Sequence, residues 1–179
     1  MPLQQNLPGL DVTDLYGSAF AWEPKYTNRF IMYIADIPSY LVKAAGRPSF
    51  TDAGIETEHI NVNRYLKGKT KWDSLSITLY DPIVPSGAEA VMTWVRLHHE
   101  SLTGRDGYST DYKKDIDFYS LSPTGEQIEY WKLVGAFISD AKFGDMDWAT
   151  VNPVEISLTL KYDYAVLDFS ADAPADPTA

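Results

Sequence analysis

Four cations, Arg64, Lys67, Lys69 and Lys71, crowd into one short stretch of a chain that carries 15 Lys+Arg against 25 Asp+Glu. In a protein of net charge −10 such a cluster can meet an acidic surface, an identical neighbour included. It can equally guard a sheet edge against aggregation. The other chemistry-bearing residues form no recognisable site. A helical zinc motif sets two histidines at i and i+4 with a glutamate between them. His98-His99-Glu100 instead puts adjacent residues on diverging directions of a helix, so His98 belongs to an apolar stripe and His99 to solvent. Asp140, Asp145 and Asp147 lack the spacing and the closing glutamate of a calcium loop, and read as a solvated turn. The chain has no cysteine, which removes disulfides, thiolate metal sites and cysteine nucleophiles. No dinucleotide or phosphate-binding glycine loop and no serine elbow occurs, and carboxylates are too frequent to nominate a glycosidase pair. The weight moves from catalysis to binding and assembly.

Charge narrows the partners further. An acidic surface repels phosphate backbones, so a basic face gripping nucleic acid is excluded, whereas a wall that a polyanion must slide past is well built acidic. At 179 residues, with 45% hydrophobic and 13% aromatic residues, the chain reads as one folded domain. Neither a basic leader nor a run of about 18 apolar residues is present, which leads to the expectation of a soluble protein of the cytoplasm that contacts no membrane.

Residues 1–25 form an irregular arm with one helical turn near residues 12–16. Residues 29–35 are a strand, residues 36–39 a turn, and residues 40–45 its returning hairpin partner. Residues 46–54 read as a loop and residues 55–62 as a strand. The basic residues 63–71 then form a turn into residues 72–80, giving a hairpin with a cationic tip. Pro82 and Pro85 stop the sheet. The period then changes: Val91, Trp94, Val95, His98 and Leu102 mark a helix over residues 89–102, capped by Ser86 or Gly87 and ended by Gly104. Residues 105–115 are a surface connection, and residues 116–121 and 127–137 a second hairpin turning at Ser122-Pro123-Thr124-Gly125. Residues 139–152 read as a loop or short strand.

The closing segment is the most regular. Val154, Ile156, Leu158, Leu160, Tyr162 and Tyr164 alternate with Glu155, Ser157, Thr159, Lys161 and Asp163, the period of a strand with one buried and one wet face. Unbroken, it would run roughly 35 Å and suit a sheet that lines or covers something. From Asp168 onward the Ala, Asp and Pro tail cannot repay the entropy of ordering. The domain limits are then 1–25 for the arm, 26–167 for the β domain and 168–179 for a flexible acidic tail. The class is mostly β, with antiparallel strands and one flanking α-helix.

In this order of elements the sequence resembles the tail tube proteins of contractile-tailed bacteriophages. The likeness is carried by residues 28–34, by Lys43-Ala44-Ala45-Gly46-Arg47-Pro48, by Ile60-Asn61-Val62-Asn63 with residues 71–81, and by residues 132–138 through Gly144 to residues 154–164. It covers roughly residues 26–165. The resemblance implies two packed antiparallel sheets in a sandwich or barrel-like arrangement with a flanking helix. It further implies six copies closing into a ring, and rings stacking into a tube whose acidic lumen passes genomic DNA without specific binding. Implied partners are copies of the chain itself, a tail sheath protein, and baseplate and tail terminator proteins. No cofactor, metal or catalytic residue is implied, and the location is the phage tail, assembled in the host cytoplasm. Carried onto this chain, Arg47, Phe50, Arg64, Lys67, Lys69, Lys71 and Trp72 are the candidates for contacts between subunits and rings. Glu155, Ser157, Thr159, Lys161 and Asp163 are the candidate lumen face. The longer amino-terminal arm and the acidic tail depart from a compact tube protein and leave room for a specialised ring at the baseplate or capsid end. Two other readings stand beside this one: the inner tube of a secretion or pyocin-like system, and, from a different class, an enzyme or carbohydrate-binding β-sandwich using Tyr108, Tyr112, Tyr119, Tyr130 and Trp131.

Overall fold

Alternating apolar residues build most of the fold described by the computed structural model, which covers residues 24–168. Residues 1–23 of the expected arm, with its helical turn near residues 12–16, and residues 169–179 of the expected tail lie outside the described residues; Asp168, expected in the tail, ends the last strand opposite Tyr130. In chain order come β1 (Phe30–Ile34), a 3-10 turn (Ser39–Leu41), β2 (Val42–Ala45), β3 (Phe50–His59), β4 (Val62–Trp72) and β5 (Leu75–Tyr80). Helix α1 (Gly87–His98), the short β6 (His99–Glu100) and β7 (Arg105–Asp106), and a helical turn (Ser109–Tyr112) follow. The chain closes with β8 (Lys114–Leu121), β9 (Gln127–Lys142), β10 (Glu155–Lys161) and β11 (Tyr164–Asp168). The main sheet is antiparallel in the order β1-β8-β9-β10-β5-β2, with β11 also on β9. Two small pairs, β3-β4 and β6-β7, stand apart from it.

The core sits where the inward residues of both halves of this sheet meet. Met32, Ile77, Leu79, Ile116, Leu133, Ile156 and Leu160 are buried, and each such side chain contributes about 1.5–3 kcal/mol. Helix α1 adds Val91 and Trp94 to the same cluster. The Trp94 indole N–H donates to the Tyr112 carbonyl at 2.8 Å, so the one polar atom of that ring is satisfied. Ser86 caps the helix, its hydroxyl accepting from the Glu89 N–H. The helix ends at His98, four residues short of the expected end, because His99 turns extended and pairs opposite Asp106. Gly104, at φ +69°, turns β6 into β7 instead of ending the helix, and Leu102 lies exposed.

Three further expectations are corrected by the topology. Residues 40–45 do not return against β1; β2 pairs with β5 at the far end of the sheet, Val42 opposite Leu79 and Ala45 opposite Ile77. The crossing is anchored by Ile37 and Leu41, both buried, so the chain crosses the core where a hairpin would stay on its surface. The basic segment 63–71 is not a turn but lies in β4, and β3 already starts at Phe50, inside the expected loop. The turn falls at Ile60 and Asn61, with Ile60 at φ 55°, and the strand of residues 75–80 leaves the ribbon for the main sheet.

The closing segment is not one unbroken strand. It breaks at Tyr162 and Asp163, yet its register on β9 runs on through the break, Lys161 opposite Phe137 and Tyr164 opposite Val134. What changes is the face: Ile156, Leu158, Leu160 and Tyr162 point inward, then Ala165 does, and Tyr164 is left half exposed. β9 changes face at the same level, at Gly135 (φ +67°) and Ala136, both buried. Two neighbouring strands thus turn a corner together, which lets one sheet fold over its own core. The second hairpin forms as expected, the Gly125 N–H donating to the Ser122 carbonyl at 3.1 Å, but β9 continues to Lys142 and the following loop spans residues 143–154.

Candidate assembly surfaces

The β3-β4 ribbon packs chiefly on itself, and its register sorts its side chains onto two unlike faces. Tyr65 lies opposite Glu56, Asn63 opposite Glu58 and Thr70 opposite Asp52, so one face is acidic and polar. Here the Asn63 amide and the Thr70 hydroxyl donate to Glu56 and Asp52, and Lys67 pairs with Asp52 at 3.6 Å. On the other face Leu66 lies opposite Ile55, Arg64 opposite Thr57 and Lys71 opposite Thr51. A bulge between Asp52 and Gly54 sends Gly68 and Lys69 to this second face as well. Gly68 fits because a Cβ there would stand 2.1 Å from the Ala53 carbonyl oxygen. This face therefore combines Arg64, Lys69 and Lys71 with the exposed Ile55 and Leu66. No ion pair to these three cations occurs among the described residues. Val62, on the same face, is also exposed.

At its foot the ribbon is tied down by aromatic contacts. Phe50 meets Trp72 edge-on with 5.4 Å between ring centroids, and Trp72 lies 5.9 Å from Tyr162. The Tyr162 hydroxyl donates to the Ser49 carbonyl, and burial, partly offset by that bond, pushes its pKa up. Asp73 accepts from the Ser49 and Thr51 hydroxyls. Trp72 is half-buried and anchors the base, whereas Phe50 remains 56% exposed.

Of the residues nominated from sequence, Arg47 is engaged within the subunit. Its guanidinium joins Lys25 and the Trp131 indole N–H on the buried carboxylate of Glu129. Burial alone would raise the Glu129 pKa, but the bonds from Lys25, Trp131 and Arg47 outweigh it and hold the carboxyl below its usual range. Lys25, Arg47 and Glu129 come from positions far apart in the chain, so no spacing in the sequence marks this cluster.

The polar face of the last strands is extended by its neighbours. Ser157 stands opposite Thr78, Thr159 opposite Ser76 and Glu155 opposite Tyr80 on β5; on β9, Ser157 faces Lys142 and Thr159 faces Asp140. The Ser139 hydroxyl donates to the Thr159 carbonyl. Lys43 pairs with Glu155 and lies over the Tyr80 ring, and its hydrogen bond to that carboxylate raises its pKa against a smaller opposing effect of desolvation. The result is a hydroxyl-rich face on which Lys43, Lys142 and Lys161 nearly balance Glu155 and Asp140. Asp163 lies at the corner and pairs with Lys113 at 2.8 Å.

The aromatics of the carbohydrate-binding alternative are not gathered into one platform. Tyr119 and Tyr130 stack on each other at 4.8 Å, Tyr112 is held between His98 and Phe137, Trp131 is turned to Glu129, and Tyr108 stands exposed. His98 and His99 diverge: His99 pairs with Asp106 at 2.8 Å in solvent, while the Nε2 atom of His98 is buried with no hydrogen-bond partner among the described residues.

No protein-family model matches the sequence, and no curated protein matches it. The fold, however, is found in solved structures. It is similar to a chain of the cryo-EM structure of the anti-feeding prophage tube terminating cap, at TM-score 0.66 and 16% identity over 82% of this chain and 92% of that one. A chain of the sheath/tube terminator of an extracellular contractile injection system in the extended state gives 0.67 and 16%, covering 83% of this chain and 99% of the other. A chain of the sheath-tube complex of such a system gives 0.65 and 16%, covering 88% and 98%. The fold of this chain is therefore the tail tube fold.

Proposed function

We propose that this protein is a non-enzymatic structural subunit of a contractile tail tube: six copies close into a ring, rings stack into a hollow tube, and DNA passes through it. The observation that carries the reading is the β3-β4 ribbon. A two-stranded ribbon is marginal in water, and this one presents Phe50, Ile55, Val62, Tyr65 and Leu66, each more than half exposed. Such a surface is built to be covered, and in a tube every subunit's ribbon is covered by a neighbour. The edge strands β1 and β2 are the ends of the main sheet, and pairing across subunits would remove both edges. The inferred channel wall is the hydroxyl-rich face of β5, β9 and β10. Over such a wall, where three lysines stand against two carboxylates, a polyanion meets hydroxyls and nearly balanced charges, so the inferred wall is near neutral and not the acidic lumen that the resemblance implies.

Sheath, baseplate and terminator proteins are the expected partners, and a phage tail the expected location. A second reading, a ring of an extracellular contractile injection system or its terminating cap, is favoured by the kind of structure that shares the fold. Both readings are tested by negative-stain microscopy and native mass measurement of the purified full chain. Sixfold rings or hollow rods are the expected result; a monomer that stays dispersed at all concentrations overturns them.

A further inference from the structure

The cationic face of the ribbon has a counterpart on the same molecule that it cannot reach. The loop of residues 143–154 carries Asp145 and Asp147, neither of them in an ion pair among the described residues, around three apolar side chains turned fully to water. Met146 is 84% exposed, Trp148 107% and Val151 101%. The Asp147 carboxylate accepts from the Ala149 N–H and the Thr150 hydroxyl, so the loop is shaped from within and still leaves its apolar side chains uncovered among the described residues. Lys142 and Asp140 flank it with opposite charges.

The two surfaces sit at opposite ends of the same sheet. The ribbon ends at Trp72 and leads directly into Leu75, the start of β5; the loop leads into Glu155, which pairs with Tyr80 at the other end of β5. Six residues of strand, about 20 Å, separate their attachment points, and Trp148 and Val151 are left fully exposed, so the two surfaces do not meet within a subunit. Each is charged opposite to the other, and each mixes exposed apolar area with its charge. Asp73, at the foot of the ribbon, is already engaged by Ser49 and Thr51.

We infer that the occupant of the 143–154 loop is the ribbon of a second copy of this chain. Arg64, Lys69 and Lys71 meet Asp145 and Asp147, and Ile55 and Leu66 cover Trp148 and Val151. Two complementary patches on opposite ends form a heterologous contact, which does not close a dimer but repeats from copy to copy. Because the sheet edges lie to the sides and these patches at the ends, the contact runs along the tube, from one ring to the next. The inference rests on the tube reading and adds to it the partner surface and the polarity of stacking.

The absence of cysteine makes the test direct. The full-length double variant Leu66→Cys, Val151→Cys, assembled and then oxidised, should give a ladder of disulfide-linked oligomers on a non-reducing gel, while each single variant should give none. Charge reversal supplies a second arm. Arg64→Glu with Lys69→Glu, or Asp145→Lys with Asp147→Lys, should leave rings intact but shorten rods at least tenfold, and all four changes in one chain should restore length. Rods of wild-type length from either reversed variant, or no ladder from an assembled double-cysteine variant, overturn the inference and leave the ring untouched. If the unmodified chain forms no ring at all, it is the tube reading that falls.

Discussion

The carboxylate of Asp163 fills the space into which a side chain at Gly135 would grow: a Cβ on Gly135 would stand 2.4 Å from Asp163 Oδ2. The two residues are also tied by backbone, since the Asp163 N–H donates to the Val134 carbonyl at 3.0 Å. The Gly135 N–H in turn donates to Asp115 at 3.2 Å, and Lys113 pairs with Asp163. This is the corner at which β9 and the β10-β11 segment change face together. At φ +67° a residue with a Cβ is strained even in open space.

Gly135→Ala should therefore destabilise the protein by about 1–3 kcal/mol, read as a lower midpoint in chemical denaturation. Adding Asp163→Ala should relieve the steric overlap but not the backbone strain, so the double variant should recover only part of the loss. Full recovery would mean that the backbone conformation at the corner costs nothing.

Glu129 gives a pH dependence whose sign is set by its partners. Its carboxyl is held below the usual range in the fold, so the unfolded chain takes up the proton first. The stabilisation is complete above the unfolded value of about 4.3 and is lost as pH falls through the lower folded value. Glu129→Gln should remove this acid-side slope and cost about 1–3 kcal/mol at neutral pH. Denaturation midpoints from pH 7 down to pH 3 test it, and an unchanged slope would refute the cluster's role.

His98 acts in the same direction at higher pH. Burial, reinforced by His99 and opposed by Asp106, lowers its pKa, so the unfolded chain again binds the proton more readily. Stability should fall as pH drops below about 6.5 toward the lower folded value. His98→Leu should flatten the curve between pH 7 and pH 5; NMR titration of the ring should show it neutral in the fold where a free histidine is charged.

Neutralising the ribbon should separate folding from assembly. Arg64→Gln, Lys69→Gln and Lys71→Gln change exposed side chains without ion pairs among the described residues, so monomer stability should move by no more than about 0.5 kcal/mol. Assembly should weaken, and salt should mimic the effect, since the screening length falls from about 10 Å at 0.1 M to about 3 Å at 1 M. Light scattering across a salt series checks this, and self-association indifferent to both changes would mean that these cations take no part in it.

What the amino-acid order determined is local. Alternation at Leu75, Ile77 and Leu79 or at Ile156, Leu158 and Leu160, the 3.6-residue spacing of Val91, Trp94 and Val95, and the Pro123-Gly125 turn each depend on neighbours within a few positions. These features delivered the β class, the helix and the second hairpin, and the order of elements carried the resemblance that the fold bears out. What tertiary structure alone decided is where elements go once they exist. β2 crosses to β5 because Ile37 and Leu41 are buried along the way. The basic segment is a strand because residues 50–59 stand across from it and pair with its backbone. The last strand breaks because its partner turns a corner at Gly135. Glu129 becomes a hub only when Lys25 and Arg47, from two other segments, converge on it beside Trp131 of its own strand. Each of these outcomes is fixed by contacts between residues far apart in the chain, and a period of two or 3.6 residues records which side of an element is apolar without naming what that side will meet.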